Sequence, residues 1–192
     1  MQYIHGKARF RLSADIALHL AAKTELCLAR KTNLHEAFPA PDHDHGRCAS
    51  DAIAHAEAIC REHHERLTPM RRAVLEALLA SHTPLGAYEL IDRLAKQGAR
   101  PAPITIYRAL DFLREQGLVH RIESRNAFIA CVHNHDSGDP VVFLICEKCG
   151  AVGEAASAAV AETIKTASRA AGFTPKTPVI EISGVCAHCK AA

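Results

Sequence analysis

Two stretches decide the fold of this chain, Cys146-Glu147-Lys148-Cys149 and Cys186-Ala187-His188-Cys189. Two residues between cysteines let one tight turn present both thiolates to a tetrahedral Zn²⁺, and two such pairs fill the coordination shell. We therefore predict a structural zinc site. Its alternatives are four buried free thiols or a redox pair of the thioredoxin type, although redox chemistry needs only one Cys-x-x-Cys.

The 36 residues between the pairs, 150–185, exceed the interval of a short zinc ribbon, so a small subdomain must fold there. Val141–Ile145 is a continuous apolar run typical of a buried strand, and residues 151–154 are predicted to return as a second strand. The Ala-rich run Ala155–Ala171 predicts a helix, and the alternation over Val179–Ser183 predicts a third strand. We expect residues 141–192 to form one α/β domain.

The segment before this domain predicts a winged helix–turn–helix over residues 51–132. Asp51 is a candidate N-cap for a first helix, and Thr68-Pro69 is a cap and first-turn pair for a second. Further helices are predicted over about 87–97 and 104–116, the last ended by Gly117. Two short strands over 118–123 and 126–131 complete the pattern. The predicted fold class is α+β, with helices and a two-stranded wing followed by the zinc-held domain.

Residues 1–50 do not share this pattern, and we expect them to be a poorly ordered extension that ends in a linker. Residues 133–140 are predicted to connect the two domains.

The formal charge of +2 is no strong basic signal, whereas 13 histidines and eight cysteines are unusual. No apolar run approaches the roughly 18 residues that span a bilayer. Paired cysteines in a chain without a secretory signal indicate metal binding, so a reducing cytoplasm is expected.

The predicted fourth helix has the pattern of a DNA recognition helix. Ile106 and Leu110 fall on one face together with Leu113, which turns Thr105 and Arg108 outward. An arginine there can pair bidentately with guanine, worth about 1–3 kcal/mol of discrimination. The alternative is a solvated helix face with an ordinary surface arginine. The residues that we predict to contact DNA are Tyr88, Thr105, Tyr107, Arg108, Arg71 and, at the wing tip, Arg125, with Arg72 as a further phosphate contact.

Several motifs recur in this order in a known family. They are Arg66-Leu67-Thr68-Pro69-Met70-Arg71, Ala87-Tyr88-Glu89-Leu90, Thr105-Ile106-Tyr107-Arg108-Ala109-Leu110, Gln116-Gly117-Leu118-Val119-His120 and Ile145-Cys146-Glu147-Lys148-Cys149-Gly150. On these motifs the chain resembles the ferric uptake regulator superfamily, most closely its zinc uptake regulator branch, from about Asp51 to Cys189.

The resemblance implies a homodimeric, zinc-responsive repressor of zinc-uptake genes that binds double-stranded operator DNA. It implies that the C-terminal domain dimerises and that the residues matching Tyr88 and Arg108 contact the operator. It also implies two zinc ions per protomer, one structural and one regulatory, with no small organic substrate and no membrane partner.

The regulatory site is predicted in part from the wing. If Ser124-Arg125 is a two-residue hairpin loop, His120 pairs with Ile129, and Cys131 lies diagonally on the same face as His120. Imidazole and thiolate can then meet at one ion. Taken singly, each residue is better interpreted as ordinary, the histidine as a strand residue and the cysteine as a small apolar filler. The metal site is favoured only when the residues are taken together.

The resemblance adds two further ligands to this site. One is the residue matching Glu154, and the other comes from the connection between the domains. Relatives have a histidine where this chain has Asp139, so the fourth ligand is open among His135, His133 and Asp139. We favour His135. One thiolate among nitrogen and oxygen ligands suits Zn²⁺ better than Fe²⁺ or Mn²⁺.

Three other functions are alternatives. An iron- or peroxide-responsive regulator of the same superfamily would share the fold, but Cys131 as a ligand argues against it. A zinc-ribbon interaction module without DNA binding is a second alternative. An enzyme is the least favoured, since the sequence has no apparent Ser/His/Asp set or carboxylate pair, and no His-x-Glu precedes the Cys-x-x-Cys.

Overall fold

The computed structural model describes residues 37–38, 45–131, 141–175 and 179–191, which belong to one continuous unit, Thr32–Ala192. The predicted extension is therefore described only in part, and the connection 133–140 lies outside the described residues. In chain order the described elements are α1 (His45–Glu62), α2 (Pro69–Leu79), α3 (Ala87–Ala95), α4 (Pro103–Glu115), β1 (Val119–Ile122), β2 (Ala127–Ala130), β3 (Val141–Cys146), β4 (Val152–Ala156), α5 (Ala158–Ala170), β5 (Val179–Gly184) and α6 (Ala187–Ala191). None of the described helices combines the length and apolar composition that a membrane span requires.

The first four helices pack around one apolar core that also takes in both wing strands. The side chain of Thr68 accepts a hydrogen bond from the Arg71 amide and begins α2, as the sequence predicts. Gly117 adopts φ +69° just after α4, the left-handed backbone at which helices commonly end. Cys60 of α1 is buried in this core, where burial raises the pKa of its thiol. The helical head and its boundaries thus follow closely from the pattern of caps and apolar residues.

The wing is the antiparallel pair β1–β2, in which His120 lies opposite Ile129. This register is the one that the sequence predicts. The strands are shorter than expected, because Glu123–Arg125 forms a 3₁₀ turn and Asn126 closes the loop at φ +46°. Asn126 tolerates this left-handed conformation better than most residues. The register survives because the longer loop takes its extra residues symmetrically from both strands.

The C-terminal sheet has the strand order β4-β3-β5, with β3 antiparallel to β4 and parallel to β5. The chain therefore crosses from one edge of the sheet to the other through α5. Most of β3 is buried, as its apolar run predicts, whereas β5 is largely exposed at an edge. Ser157 accepts a hydrogen bond from the Val160 amide and begins α5 three residues later than expected.

The wing packs directly on this sheet. Ile122 and Ile129 form a buried apolar cluster with Phe143, Ile145 and Val152. The Val152 amide also donates to the His82 carbonyl at 3.0 Å, which ties β4 to the segment between α2 and α3. Head and sheet are consequently held by an apolar interface and by backbone hydrogen bonds, in addition to any metal.

Two features of the N-terminal region differ from expectation. The first helix begins at His45, so Asp51 lies inside α1 instead of capping it, and the expected linker ends earlier. Ala37 is buried at 4% exposure against Val142 and Ala155, with Phe38 packed beside it. The described parts of the predicted extension therefore belong to the folded structure.

The conformation of Gly117 yields a stability prediction. Gly117→Ala should lower the free energy of unfolding by about 1 kcal/mol, because an L side chain is strained at φ +69° although no atom lies within 4 Å of the added carbon. Denaturant titration at fixed zinc measures the change. Gly98→Ala is the matched control, since that position is equally open without a positive φ, and it should cost nothing. Equal losses in both variants would contradict the conformational explanation.

Candidate metal centres and nucleic-acid face

The four predicted cysteines of the C-terminal domain come together at the end of the sheet. Cys146 ends β3, Cys149 lies in the turn after it, Cys186 precedes α6 and Cys189 lies within α6. Their sulfur atoms all lie within 4.8 Å of one another. The parallel pairing of β3 with β5 explains this convergence, because the ends of both strands reach the same edge of the sheet.

The spacing of the sulfurs fits a tetrahedral zinc ion. With Zn–S bonds of about 2.3 Å, the sulfurs of a four-thiolate site lie about 3.8 Å apart. The Cys149 and Cys186 sulfurs are 3.9 Å apart. Gly150 permits the turn at φ +77°, and its amide donates to the Cys146 carbonyl at 2.9 Å. The backbone of the first knuckle is thus shaped by hydrogen bonds of its own.

The protein surroundings favour a thiolate at Cys146 and oppose one at Cys189. Hydrogen bonds from the backbone of Cys149 and Cys186 lower the pKa of the Cys146 thiol to about 6. Hydrogen bonds with the Cys186 and Cys149 side chains raise the pKa of Cys189 to about 12. The Cys146 thiol therefore ionises more readily than the Cys189 thiol, from which zinc must displace a proton. Zinc binding here weakens as the pH falls, because protons compete for the same sulfurs.

A second cluster unites His120 of β1, Cys131 just beyond β2 and Glu154 of β4, with ligand atoms within 4.8 Å of one another. His120 Nε2 lies 3.3 Å from Glu154 Oε1, and Cys131 Sγ lies 4.0 Å from the same oxygen. With metal bonds of about 2.0–2.1 Å, a nitrogen and an oxygen ligand of tetrahedral zinc are about 3.3 Å apart. The donor set and its spacing fit zinc.

An ion pair between a protonated His120 and Glu154 would explain part of this geometry. Glu154 is 7% exposed, and a buried carboxylate needs a counter-charge or hydrogen bonds. An ion pair leaves the position of the Cys131 thiol near the same oxygen unexplained, whereas a metal ion would be bound by all three groups. The three-residue convergence therefore favours metal over a simple pair. The candidates for the fourth ligand, His133, His135 and Asp139, all lie outside the described residues.

The outer face of α4 is exposed, as the sequence predicts. Ile106, Leu110 and Leu113 are fully buried. Thr105 and Arg108 are exposed. Tyr107 and, on α3, Tyr88 are also open to solvent, with Tyr88 64% exposed. Four of the predicted DNA contacts are thus accessible on neighbouring helices, and their assignment to DNA stays a prediction.

The arginines predicted to contact phosphates have intramolecular partners that the sequence did not reveal. The Arg71 guanidinium lies 3.3 Å from the centre of the Phe112 ring and donates to the Arg66 carbonyl at 2.6 Å. Arg72 pairs with Glu57 and, at 3.7 Å, with Glu76. These contacts give both arginines a role in packing α2 within the head. A DNA contact from either arginine must therefore compete with its intramolecular contacts.

Arg125 shows the same pattern at the wing tip. Its guanidinium is 3.4 Å from the carbonyls of both Cys146 and Gly150, which turns it towards the cysteine cluster. The wing turn has another partner that sequence reasoning missed, the carboxylate of Glu181 on β5. Nothing in the alternating pattern of β5 marks this residue, because its role appears only once the wing is placed on the sheet.

Comparison with known proteins gives a consistent result. The model of the ferric uptake regulator family matches residues 62–183. The zinc uptake regulation protein of Escherichia coli (strain K12) is 38% identical over 139 residues, which cover 72% of this chain and 81% of that protein. A peroxide-responsive repressor of Staphylococcus epidermidis (strain ATCC 12228 / FDA PCI 1200) is 30% identical over 128 residues, covering 65% of this chain and 81% of that protein.

Solved structures agree with the sequence matches. A zinc uptake regulator complexed with zinc and DNA superposes with a TM-score of 0.70 at 37% identity, covering 74% of this chain and 95% of that one. The crystal structure of holo XcZur gives a TM-score of 0.68 at 40% identity, covering 75% and 99% of the two chains. The predicted resemblance and the predicted fold class are confirmed.

The cysteine cluster yields a prediction that separates the two candidate centres. Cys149→Ser should lower the zinc content by about one ion per chain and unfold the C-terminal domain, because zinc binding of this kind contributes about 10–16 kcal/mol to folding. Cys149 is exposed, so the change removes a ligand with little loss of packing. Elemental analysis and hydrogen exchange of β3 and β5 measure the two effects. A folded C-terminal domain with unchanged zinc content would contradict the assignment.

Proposed function

Because this chain belongs to the ferric uptake regulator family, which comprises metal-responsive transcriptional regulators, we propose that it is a zinc-responsive repressor of zinc-uptake genes. In this proposal a zinc-loaded homodimer binds double-stranded operator DNA, and each protomer holds a structural and a regulatory zinc ion. The observation that carries it is the second cluster, which brings together ligands from the wing and from the C-terminal sheet.

Zinc is the proposed effector for chemical reasons. The cluster offers one thiolate, one imidazole and one carboxylate, a mixed set that zinc accepts in tetrahedral sites. Iron and manganese regulators favour harder ligands. The similarity to zinc uptake regulators at 37–40% identity supports zinc over the more distant peroxide-responsive repressors.

A homodimer is supported by the edge of the C-terminal sheet. Within the described residues β5 pairs with a strand on one side only, and Val179 and Ile182 are about half exposed. Phe173 is exposed nearby along the chain. An open edge strand with exposed apolar side chains can pack against the same surface of a second copy of the chain. Two recognition helices would then face half-sites about one helical turn apart.

The proposed mechanism relies on the position of the regulatory ligands. His120 and Cys131 move with the wing, whereas Glu154 belongs to the sheet, so zinc fixes the head to the dimer platform. Without metal the two heads sample many separations, and only a fraction matches the operator. Zinc raises that fraction while the DNA contacts themselves stay the same. The cytoplasm is the compartment that such a regulator requires.

The role of Cys131 in zinc sensing is tested by two substitutions. Cys131→Ser and Cys131→Ala should both keep the fold and the structural zinc, yet abolish zinc-dependent binding to DNA from upstream of the protein's own gene. Neither side chain is a zinc ligand. Binding is measured against buffered free zinc. If Cys131 were instead an apolar filler, Ala would behave like the parent and only Ser would be impaired.

The role of Arg108 in DNA reading gives another prediction. Arg108→Ala should weaken binding of the zinc-loaded protein by about 1–3 kcal/mol and relax base preference at the position that it reads. Arg114→Ala, at the far end of the same helix and also exposed, is the control and should change affinity little. Fluorescence anisotropy with a set of base-substituted duplexes measures both effects. Equal losses for the two variants would exclude specific reading by Arg108.

A further inference from the structure

The turn at the wing tip is held by the C-terminal sheet through a carboxylate that is not a metal ligand. Glu181 Oε1 accepts from the Glu123 amide at 2.6 Å, and Glu181 Oε2 accepts from the Ser124 amide at 3.1 Å. These amides begin the 3₁₀ turn, where backbone donors have no partner within the turn. The Glu181 carboxylate thus caps the wing turn from another part of the chain.

The protonation equilibrium of Glu181 agrees with this contact. Burial works to raise its pKa, but hydrogen bonds from the Ser124 side chain and from the Ser124 and Glu123 amides outweigh burial and lower the pKa. The ionised carboxylate is therefore the form that holds the turn. Hydrogen bonds to a charged acceptor are stronger than those between neutral groups.

Glu181 and Glu154 occupy one row of the sheet. Phe143 on β3 lies opposite Glu154 on β4 and opposite Glu181 on β5. Residues directly opposite across strands share a face, and this face carries the wing, since the Phe143 ring lies 5.2 Å from that of His120. One carboxylate of the row thus contacts the base of the wing at the regulatory cluster, while the other contacts its tip.

A second contact holds the same turn. Arg125 reaches the Cys146 and Gly150 carbonyls at 3.4 Å, long for a hydrogen bond but directed at the first cysteine knuckle. The wing turn is therefore held from β5 and from the knuckle at once. Neither contact uses a ligand of the regulatory cluster.

We propose that Glu181 is a positioning residue for the zinc switch: its carboxylate holds the wing tip on the C-terminal sheet and so sets the zinc concentration at which the regulatory site fills. The inference rests on the proposed function. The ligands of that site come from both sides of the interface, so its apparent zinc affinity scales with the fraction of molecules whose wing is docked. A clamp at the tip raises that fraction before zinc binds.

The clamp itself is tested without DNA. In the full-length zinc-loaded protein, Glu181→Ala should speed amide exchange at Glu123 and Ser124 about tenfold, as expected when hydrogen bonds to a charged group are lost. Glu181→Gln keeps one acceptor oxygen and should be intermediate. Glu162→Ala, an exposed carboxylate on α5, is the matched control and should match the parent. If the Glu123 and Ser124 amides exchange at the same rate in the parent and in all variants, Glu181 does not clamp the turn.

The effect on the switch is measured separately. Chelator competition should show that Glu181→Ala weakens zinc binding at the regulatory site about tenfold, with the structural zinc retained. The free zinc concentration at which DNA binding is half-maximal should rise by the same factor. At saturating zinc, the affinity of the variant for DNA should equal that of the parent. A general folding defect would instead lower the saturated affinity, and that result overturns the positioning role. So does an unchanged zinc affinity.

Failure of the proposed function gives a different pattern. A parent protein that binds one zinc per chain, or that binds no DNA when zinc-loaded, refutes the proposed function while the exchange comparison still decides whether Glu181 clamps the turn. Arg125→Ala provides the second variant. As part of the clamp it should raise the zinc concentration at which DNA binding is half-maximal. Any phosphate contact that Arg125 also makes is measured separately, as a fall of about one counterion in the salt dependence of DNA binding.

Discussion

The structure depends on the apolar contact between the wing and the C-terminal sheet. Ile122 and Ile129 bury their side chains against Phe143, Ile145 and Val152. Burying side chains of this size contributes about 1.5–3 kcal/mol each, so the contact favours the docked wing even before a metal ion binds. The regulatory cluster lies beside it and draws its ligands from both sides. A metal ion bound by this cluster would therefore act on an interface that already exists.

The two candidate zinc centres differ in what they join. The four cysteines all lie within the C-terminal domain, at the ends of β3 and β5, so an ion held there would close that domain and contribute to its folding. The cluster of His120, Cys131 and Glu154 instead joins the wing to the C-terminal sheet. The chemistry follows the same division, because four thiolates bind zinc tightly, whereas a mixed set allows a dissociable ion. Location and ligand type therefore lead to the same assignment of structural and regulatory roles.

Local patterns in the sequence predicted most of the fold. Contacts between distant segments could not be predicted and appear only in the structure. Caps and apolar spacing gave α2, α4 and the buried face of α4, and the alternation around the hairpin gave the pairing of His120 with Ile129. The start of α1 was predicted wrongly because Asp51, a residue type favoured at helix N-caps, lies inside the helix. The partners of Arg71, Arg125 and Glu181 were missed for a different reason. Each is a long side chain whose position depends on a segment at least 21 residues away or on a neighbouring helix, and the sequence carries no local sign of such a contact.

A wing fixed to the sheet also fixes the recognition helix. Only Gln116, Gly117 and Leu118 separate α4 from β1, and the Leu118 amide donates to the Leu113 carbonyl at 2.8 Å. Leu118, Val119 and Phe128 belong to the same core as the helices, so wing and head move as one body. Restraining β1 and β2 at their base and at their tip therefore orients α4 without any change within the head. In the proposed function, a metal ion at the regulatory cluster would therefore control the orientation of α4 without touching it, and the surface that α4 presents would stay the same.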